Sequence, residues 1–555
     1  MLWLVLGVAR AGWVDPDSPR SARTTVSLVD RVEVPLVFSD EFEVEGREFD
    51  DGFDPRWTAI HKNDYTNAAL HYYHQEYVRT SNGFLNVTTD AVETEFESLQ
   101  LSKRRKGKIK AKTLKKEFRS GMVQTWNKFC FSGGILEVRV KLPGRHDVGG
   151  LWPATWLMGN LARSTYVASS DYMWPWSYDR CDRANQIRQE ISACKPSPHY
   201  GLDANRGRGA PEIDLLEVMP GSGWLPWGLK KPYVSTSLQV APGKTNPRPS
   251  NGDRPHPGQW YEGLRFGKNS SINVFFYGLK LDHHDETSYV ADAISGNTPI
   301  RETHFTDFHT FRLEWEPRGY INWYVDDFFL YGIDDESLGE CTGAHVPDEP
   351  SYLLINTAMS STWGFPFPCP PGCDCKCHDC VNPKCKCAMP PGFCETLPAH
   401  FLVDYVRVYQ RPQHKLGCST DTHPTKRFIQ GHSDRYSDPD VRASRKRPLR
   451  DVEVGGGPCR VDSDCGGGGG GGGSACRRRR CDCKEGATGP TCRAAAAHDD
   501  VIYDDLDDIH VFDDLRRFYA PPAMDRLCLA FLLLILAIVV AHVARTKHQR
   551  GLYDY

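Results

Sequence analysis

Short β-type segments fill the chain from about residue 34 to residue 410, and they constrain its fold more than any other feature. They are rich in β-branched and aromatic residues, and turns containing Gly, Pro, Asn and Asp separate them, without long helical periodicity. Many short strands with frequent turns are typical of an all-β, two-sheet sandwich or jelly roll. The clearest predicted strands are LVFSDEF (36–42), GILEVRVKL (134–142), INVFFYGLKL (272–281), TFRLEWEP (310–317), YINWYVDDFFLY (320–331) and FLVDYVRVY (401–409).

The last of these segments alternates imperfectly. Its odd-numbered positions carry Arg407 among apolar residues, and its even-numbered positions carry Asp404 among apolar residues. Side chains of a strand alternate between its two faces, so each predicted face holds one charge. We therefore expect a strand that is packed on both sides.

Cysteine usage points to an oxidising compartment, because 20 cysteines are too many for an ordinary cytosolic protein. Eight of them lie within 27 residues at 368–394. Their C-x-C spacings, together with His378, are compatible with zinc. Disulfides are the favoured interpretation in an oxidising compartment.

The two ends of the chain predict a membrane-anchored protein of the secretory pathway. Residues 1–11 contain a short apolar run and an A-x-A-like cleavage site, so we interpret them as a signal peptide. Residues 527–544 are apolar apart from His542, and basic residues follow them. This pattern predicts a type I single-pass membrane protein with a cytosolic tail, in the secretory pathway or at the plasma membrane. A tail-anchored protein with a cytosolic body is the competing topology, and the cysteines argue against it.

Two further features concern the surface. The triplets at Asn86 and Asn269 are N-glycosylation sequons. The segment KRRKGKIKAKTLKK (103–116) is strongly basic and could bind a polyanion or imitate a nuclear-localisation signal. On a lumenal protein we expect a solvated surface loop. Because the net charge is only -4 and this segment is local, we expect no nucleic-acid partner.

The segment GAPEIDLLEVMPG (209–221) carries three acids in an apolar strand. Glu212 and Asp214 share one face, whereas Glu217 should face the other way because side chains alternate with period 2. Acids on a solvent face are ordinary, but that interpretation requires strict alternation. One extra residue, a β-bulge, would return Glu217 to the face of the other two acids, and bulges are frequent beside active sites.

Three acids on one face suit the cleavage of a glycosidic bond. Such cleavage uses two carboxyl groups, which in retaining enzymes lie about 5–5.5 Å apart. Three neighbouring acids cannot all ionise independently, so at least one pKa should rise, as a general acid requires.

The pattern E-x-D-x-x-E at 212–217 resembles the bulged signature of glycoside hydrolase family 16, a jelly-roll family of retaining β-glucanases and transglycosylases. The resemblance implies that Glu212 is the nucleophile, Glu217 the acid/base and Asp214 the residue that holds proton and charge in place. Other segments that resemble the family are GLWPATWLMGN (150–160), FHTFRLEWEPRGYINWYVDD (308–327), YLLINTAMSSTW (352–363) and VDYVRVYQ (403–410).

A narrower resemblance covers residues 36–437 and concerns the β-1,6-glucan-synthesis-associated branch known from fungal wall assembly. The segments that carry it are SGMVQTWNKFCFSGG (120–134), MWPWSYDRCD (173–182), GRGAPEIDLLEV (207–218), STSLQVAP (235–242), the cysteine-rich block and GCSTDTHPT (417–425). Members of this branch carry their anchor before the catalytic domain, whereas this chain has its predicted anchor after it. The resemblance implies a β-glucan substrate and no cofactor, with a structural calcium ion possible.

Several aromatic residues are candidates for sugar binding, because aromatic planes suit the C–H face of a glucose ring. We expect Trp174 and Trp176 to bind substrate, with Trp152 equally compatible with packing. Gln239 is a candidate contact for a substrate hydroxyl. Trp156 and Trp315 are expected to pack, and His309 to form a structural hydrogen bond.

Residues 459–492 hold six cysteines and resemble an EGF-like module. The resemblance implies the pairs Cys459–Cys476, Cys465–Cys481 and Cys483–Cys492. The glycine run at 466–473 is unusual for such a module, and a cysteine-rich stalk that never packs is the alternative. No protein partner of this module can be named.

The predicted organisation has seven parts. They are a signal peptide (1–11), a family 16-like domain (34–437) with its cysteine-rich insertion (368–394), a linker (438–458), an EGF-like module (459–492), an acidic stalk (493–526), a transmembrane helix (527–544) and a cytosolic tail (545–555). We expect a membrane-anchored β-glucan hydrolase or transglycosylase. A non-catalytic glucan-binding scaffold and an EGF-type adhesion protein are the alternatives.

Overall fold

The structure is a computed structural model that describes residues 12–101, 109–171, 173–176, 194–224, 228–241, 243, 248, 262–280, 289–342, 344–366, 369–437, 448–466 and 473–496. The chain divides into two compact units, Met1–Ala497 and His498–Tyr555. All the described residues lie in the first unit.

The described residues are dominated by β-strands. In chain order, the first half contains β1 (Thr24–Val26), β2 (Glu33–Asp40), β3 (Thr58–Ala59), β4 (Lys62–Asn63), β5 (His71–Tyr73), β6 (Val78–Ser81), β7 (Phe84–Asp90), β8 (Thr94–Leu101), β9 (Ile109–Lys116), β10 (Phe118–Ser120), β11 (Met122–Gln124), β12 (Phe131–Ser132), β13 (Gly134–Lys141), β14 (Trp152–Gly159) and β15 (Glu212–Met219). The second half contains β16 (Tyr233–Val240), β17 (Arg265–Phe266), β18 (Ser271–Ile272), β19 (Gly278–Lys280), β20 (Tyr289–Pro299), β21 (His309–Glu316), β22 (Tyr320–Val325), β23 (Phe328–Asp334), β24 (Ser351–Ala358), β25 (Ala399–Tyr409), β26 (Lys415–Leu416), β27 (Ala475–Arg477), β28 (Arg480–Asp482), β29 (Ala487–Thr488) and β30 (Ala494–Ala495).

Helices are short. The α-helices are α1 (Val167–Ser170), α2 (Thr303–Thr306), α3 (Asp335–Thr342) and α4 (Lys426–Gly431). The 3-10 helices are Arg20–Ala22, Gln75–Tyr77, Pro383–Ala388, Cys394–Thr396, Ser433–Tyr436 and Asp462–Cys465.

Two large sheets form the sandwich that the sequence predicts. The acid-bearing sheet has the order β18-β20-β16-β15-β14-β24-β11-β3, with β12, β19 and β26 at its sides. The opposite sheet has the order β17-β23-β22-β21-β13-β25-β7-β10-β5-β4, with β1, β2 and β6 at its sides. One continuous core joins them, to which the acid-bearing sheet contributes Leu157, Ile213 and Val234, and the opposite sheet contributes Leu136, Leu313 and Val406. The all-β sandwich prediction is confirmed.

The predicted alternation of the last strand is wrong beyond Val403. In β25, Tyr405 pairs with Arg139 and Val403 pairs with Val140, so Asp404 is an extra residue. This irregularity brings Val403, Val406 and Val408 all into the core. The outward residues Leu402, Asp404 and Arg407 remain part-exposed, so the strand packs on one side and not on both.

The cysteine-rich insertion is held by disulfides. Its eight cysteines form the pairs Cys369–Cys375, Cys373–Cys387, Cys377–Cys385 and Cys380–Cys394. Among the described residues, two cysteine triplets have their sulfurs close enough for a metal, and they are Cys369/Cys373/Cys375 and Cys459/Cys465/Cys481. All six sulfurs are in disulfides, whereas a metal needs thiolates. The zinc interpretation therefore does not fit this insertion.

The disulfide-rich module predicted to be EGF-like packs against the sandwich. It contains the pairs Cys459–Cys476, Cys465–Cys481 and Cys483–Cys492 and the small hairpin β27–β28. Its strand β29 pairs with β30 (Ala494–Ala495), so the folded module extends beyond its predicted end at residue 492 into the predicted stalk. Arg493 bridges the two parts, because its Nη1 donates to the carbonyl oxygens of Glu45 (3.3 Å) and Gly46 (3.1 Å). Its Nη2 donates to the carbonyls of Ser463 (3.1 Å) and Asp464 (3.4 Å) within the module. The alternative of a stalk that never packs is wrong.

The connection to this module is also attached to the sandwich where the structure describes it. The backbone N–H of Arg450 donates to Asp51 (2.9 Å), and that of Glu453 donates to the carbonyl of Gly52 (3.1 Å). Residues 448–458 of the predicted linker therefore contact the loop that follows β2.

The predicted basic surface loop is instead partly a strand. Residues 109–116 form β9, which pairs with β8 in a separate two-stranded sheet. Residues 102–108 lie outside the described residues, as do the predicted signal peptide (1–11), most of the acidic stalk, the predicted transmembrane helix (527–544) and the tail (545–555). In the part of the chain that the structure describes, no helix has the length and apolar character to span a membrane.

We predict that Arg493→Ala loosens the docked module. The variant loses four carbonyl hydrogen bonds from one guanidinium, and hydrogen bonds to charged groups contribute about 1.5–3 kcal/mol each. Cleavage between the sandwich and the module by a protease under native conditions should become at least about tenfold faster, since 1.4 kcal/mol is about a factor of ten. Arg477→Ala is the control, because Arg477 pairs with Asp482 inside the module. Equal cleavage of the two variants would contradict the bridging role of Arg493.

Candidate active site

A β-bulge lies at the centre of strand β15. On one side, Leu216 pairs with Thr155 and Asp214 pairs with Trp156, so Leu215 has no partner on β14. On the other side, Asp214 pairs with Ser237 and Glu217 pairs with Ser235. Leu215 and Leu216 therefore oppose one residue of β16, which defines a bulge. The bulge predicted between residues 212 and 217 is confirmed.

The bulge separates apolar from acidic side chains. Ile213, Leu215, Leu216 and Val218 all belong to the core between the sheets. Glu212, Asp214 and Glu217 occupy the other face, which we call the site face. Asp214, in the middle, is the most buried of the three at 1% exposed, Glu212 is 9% exposed, and Glu217 is part-exposed.

Trp323 of the opposite sheet supports the bulge. Its indole N–H donates to the backbone carbonyl oxygen of Asp214 at 2.9 Å, and the bond is buried. A bulge disrupts the local ladder of backbone hydrogen bonds, and a buried carbonyl without a donor is costly. Trp323 lies in the family-like segment 308–327, but no local pattern marks it as a support for the bulge.

Glu212 accepts hydrogen bonds on both carboxylate oxygens. The indole N–H of Trp174 donates to Oε2 at 2.7 Å, and the side-chain amide of Gln239 donates to Oε1. Gln239 Nε2 also lies 3.3 Å from Asp214 Oδ2. Gln239, predicted as a contact for a substrate hydroxyl, is thus engaged with the two acids, and part-exposed Trp174 lies against the first of them.

Glu217 has one indole donor and an aromatic neighbour. Trp152 donates its N–H to Glu217 Oε1 at 3.1 Å. The rings of Trp152 and Trp363 stack with centroids 4.5 Å apart and an angle of 13° between their planes. Both rings are part-exposed. Trp363 was missed as a site residue, although it ends the family-like segment 352–363.

Burial raises the pKa of all three carboxyl groups. Burial raises the pKa of Asp214 to about 7, against hydrogen bonds with Gln239, Glu212 and Ser237 that lower it. Burial, followed by the charges of Asp214 and Glu217, raises the pKa of Glu212 well above its ordinary value. Burial, followed by the charge of Asp214, raises the pKa of Glu217 as well. The group therefore retains protons near neutral pH.

Trp176 cannot stack on a sugar, which corrects the prediction for this residue. It is 3% exposed and packs with Ala241 and Ala291. Its backbone also forms a bridge to Ala241, two residues beyond Gln239 in sequence. Trp174, two residues before it, remains on the site face.

The residues expected to pack or to form structural hydrogen bonds are found in such roles. Trp315 is buried in the core. Trp156 donates to Asn356 Oδ1 at 2.8 Å, so this part-exposed ring is anchored on the acid-bearing sheet. His309 Nδ1 lies 2.6 Å from the carboxylate of Asp326, on the opposite sheet.

We predict that Asp214→Asn makes the protein increasingly more stable than the wild type as the pH rises. An acid whose pKa is raised on folding contributes stability below its unfolded pKa of 3.8, and this contribution is lost as the pH approaches about 7. The Asn variant does not ionise. The difference between its free energy of unfolding and that of the wild type should therefore increase in favour of the variant as the pH rises from 4 to 8. The expected gain is on the order of a few kcal/mol, at about 1.4 kcal/mol per pKa unit.

Denaturant unfolding at both pH values measures this effect. Asp348→Asn is the control with the opposite sign, because His423 and Arg318 lower the pKa of Asp348 despite its burial. It should lose stability relative to the wild type most strongly at neutral pH. A pH-independent effect of Asp214→Asn would show that Asp214 keeps its ordinary pKa.

We predict that Trp323→Phe costs about 1–3 kcal/mol of unfolding free energy, because it removes the buried indole donor to the Asp214 carbonyl oxygen. Trp315→Phe is the matched control, since Trp315 is equally buried and donates to the carbonyl of Pro347 at 2.8 Å. Both variants should lose similar stability. NMR titration of the Asp214 carboxyl should change in Trp323→Phe alone. An unchanged titration would mean that Trp323 does not position the acids.

Comparison with known sequences identifies relatives along most of the chain. The family described as "Beta-glucan synthesis-associated protein SKN1/KRE6/Sbg1" matches residues 3–367. The beta-glucan synthesis-associated protein KRE6 of Candida albicans is 31% identical over 466 residues, which are 79% of this chain and 54% of that protein. The beta-glucan synthesis-associated protein SKN1 of Saccharomyces cerevisiae is 30% identical over 460 residues, 78% of this chain and 50% of that protein. The chain thus spans about half the length of these curated relatives.

A shorter match and two solved structures add to this comparison. A beta-glucanase of Rhodothermus marinus is 34% identical over 108 residues, which are 19% of this chain and 29% of that protein. The endo-beta-1,3-glucanase of Pyrococcus furiosus covers 70% of this chain and 98% of its own, with 20% identity and a TM-score of 0.38. LamAcat of Zobellia galactanivorans covers 68% and 97%, with 20% identity and a TM-score of 0.34.

TM-scores of this size do not establish a common fold by themselves, and the assignment rests on the sequence matches. The family match covers more than half of the chain, and it includes the acid-bearing strand β15 and the strands on both sides of it. The chain belongs to the beta-glucan synthesis-associated SKN1/KRE6/Sbg1 family.

Proposed function

We propose that this protein is a membrane-anchored retaining β-glucan hydrolase or transglycosylase that acts in β-glucan biosynthesis or remodelling. The observation that carries the proposal is the unequal hydrogen bonding of two glutamates on one face of a bulged strand. Glu212 accepts two N–H donors, whereas Glu217 accepts one. Their surroundings therefore suit one ionised and one protonated carboxyl group.

Glu212 is suited to be the nucleophile. Its burial opposes ionisation, but donors on both oxygens favour the charged form. Asp214 shares a hydrogen bond with Glu212, and this bond raises the pKa of Glu212 and lowers that of Asp214. The nucleophilic state of Glu212 therefore requires that the shared proton move to Asp214. The carboxylate would attack the anomeric carbon of a glucan and form a glycosyl ester as the leaving oxygen departs.

Glu217 is suited to be the acid and base. The indole of Trp152 occupies Oε1, no described residue donates to Oε2, and its raised pKa keeps a proton available near neutral pH. Glu217 would give this proton to the leaving oxygen. It would then take a proton from water or from a sugar hydroxyl, and that oxygen would attack the anomeric carbon and release Glu212.

The stacked pair Trp152–Trp363 provides a surface for a sugar ring beside Glu217. Two part-exposed indoles in parallel orientation present an apolar plane, and one of them also contacts the acid. A ring placed there would bring its glycosidic oxygen close to Glu217. Trp174 would confine the opposite side, next to Glu212.

The cellular setting is part of the proposal. The eight disulfides whose two partners the structure describes suit an oxidising compartment. With residues 527–544 as a membrane anchor, the sandwich would face the lumen of the secretory pathway or the cell exterior. The curated relatives are described as beta-glucan synthesis-associated, which supports a glucan as the substrate class.

We predict that Glu212→Gln abolishes turnover of β-glucan oligosaccharides while preserving their binding. The amide keeps the shape of the side chain but cannot form the ester. Glu217→Gln should lower turnover by about 10²–10⁴-fold, the usual contribution of general acid–base catalysis. Glu137→Gln, on the opposite sheet, is the matched control and should retain turnover.

Mass spectrometry of products from defined β-1,3 and β-1,6 oligosaccharides, with and without an acceptor, measures both reactions. Longer products with an acceptor would indicate transfer, and free reducing ends would indicate hydrolysis. Saccharide binding without any turnover by the wild type would overturn the proposal and favour the scaffold alternative. Full turnover by Glu212→Gln would exclude the proposed nucleophile.

A further inference from the structure

A groove lies on the sheet opposite to the one that carries the three acids. Its volume is about 600 Å³, and it is formed where β7, β13 and β25 meet the segment before β25. Pockets of roughly 300–1,000 Å³ enclose most of a small ligand. The groove therefore has room for the first sugar rings of an oligosaccharide.

Asn86 lines this groove and begins the sequon Asn86-Val87-Thr88. The hydroxyl of Thr88 donates to Asn86 Oδ1 at 3.3 Å, and His400 Nδ1 lies 3.1 Å from the same oxygen. No described residue accepts a hydrogen bond from Asn86 Nδ2. The side chain is therefore held through its oxygen, while the nitrogen that carries an N-linked glycan is left available.

The other walls combine an aromatic face with polar groups. Phe84 lines the groove and stacks on Phe308, with ring centroids 4.8 Å apart. Lys141, Glu395 and His400 line it as well. Aromatic faces next to hydrogen-bonding groups suit a sugar, whose rings have apolar C–H faces and hydroxyl edges.

We propose that the groove holds the chain's own N-linked glycan, attached at Asn86. Covalent attachment at the wall of the groove gives the first sugars a high effective concentration there. A free saccharide would lack this advantage. The proposal requires the secretory location proposed above, but it does not depend on the catalytic roles of the three acids.

The attachment is an ordinary glycosyl transfer in the secretory pathway. The donor is an oligosaccharide on a lipid pyrophosphate. A bond forms between Asn86 Nδ2 and C1 of the first N-acetylglucosamine, the bond from C1 to the pyrophosphate oxygen breaks, and the amide loses one proton. Because Asn86 lies within β7, paired with Arg79 and Leu402, transfer would precede the folding of this strand.

A glycan seated in the groove should be protected from enzymes. The full chain would be produced in a eukaryotic secretory host, and glycopeptide mass spectrometry would measure occupancy at Asn86 and Asn269. Release by a peptide N-glycosidase would then be timed on native and on unfolded protein. At Asn86 we expect release from native protein to be at least about tenfold slower than from unfolded protein.

Two substitutions sharpen this test. Phe84→Ala keeps the sequon but removes the aromatic wall, and it should accelerate native release at Asn86 by about tenfold. Lys141→Ala is a second wall variant, which keeps the test valid if Phe84→Ala does not fold. Asn269 provides the internal control, since it is exposed and lies outside the groove. A glycan there should leave native and unfolded protein at similar rates.

Three results would overturn the proposal. They are an unmodified Asn86 in the mature protein, equal release rates from native and unfolded protein, and native release that neither wall variant changes. If Asn86 is unmodified and laminaritriose instead shifts the NMR signals of Phe84 and His400, the groove serves a free saccharide. Loss of glucan turnover would have no bearing on these outcomes, so the glycan proposal and the proposed catalytic roles fail independently.

Discussion

The hydrogen bond from the Trp323 indole to the carbonyl of Asp214 joins the two sheets at the point where the acid-bearing strand carries its extra residue. Without that residue, Glu217 would point into the apolar core, where an unpaired carboxylate is very costly. With it, the local ladder is broken and a buried carbonyl needs another donor. Trp323 supplies this donor from a strand of the opposite sheet. The arrangement of the three acids thus depends on a contact across the core as well as on the strand that carries them.

Three acids with raised pKa values make the site a source of instability near neutral pH. The rest of the domain must offset this cost. A large core spans both sheets, and the disulfide Cys130–Cys418 closes a separation of 288 residues. Removing loop entropy from the unfolded chain contributes typically about 2–4 kcal/mol per disulfide. The eight disulfides among the described residues can therefore support a site that, taken alone, opposes folding.

The sequence predicted the features that depend on neighbouring residues. Period-2 alternation and the spacing of Glu212, Asp214 and Glu217 were sufficient to place the bulge, because the phase error is visible within six residues. The indole hydrogen-bond donors could not be predicted from local sequence, since Trp174, Trp152 and Trp323 lie 38, 65 and 109 residues from the groups they contact. Local composition also failed to separate Trp174 from Trp176. They share one segment, and the second ring is buried by packing with Ala241 and Ala291, which are distant in sequence. The extra residue Asp404 in β25 could not be predicted from local sequence either, because it is defined by the pairing of β25 with β13.

The position of the cysteine-rich insertion explains why so many disulfides are concentrated in one short segment. Phe393 of this insertion packs against Gly150, where a Cβ atom would lie 2.6 Å from its ring, so only glycine permits the contact. Gly150 also approaches Gly364 closely, and these two glycines are near neighbours in sequence of Trp152 and Trp363. The insertion thus braces the two chain segments that carry the stacked indoles. Four disulfides within it replace the hydrophobic core that so short a segment cannot build. The rigid, disulfide-linked insertion thus holds the aromatic surface beside Glu217 in position, whereas the bulge positions Glu217 itself.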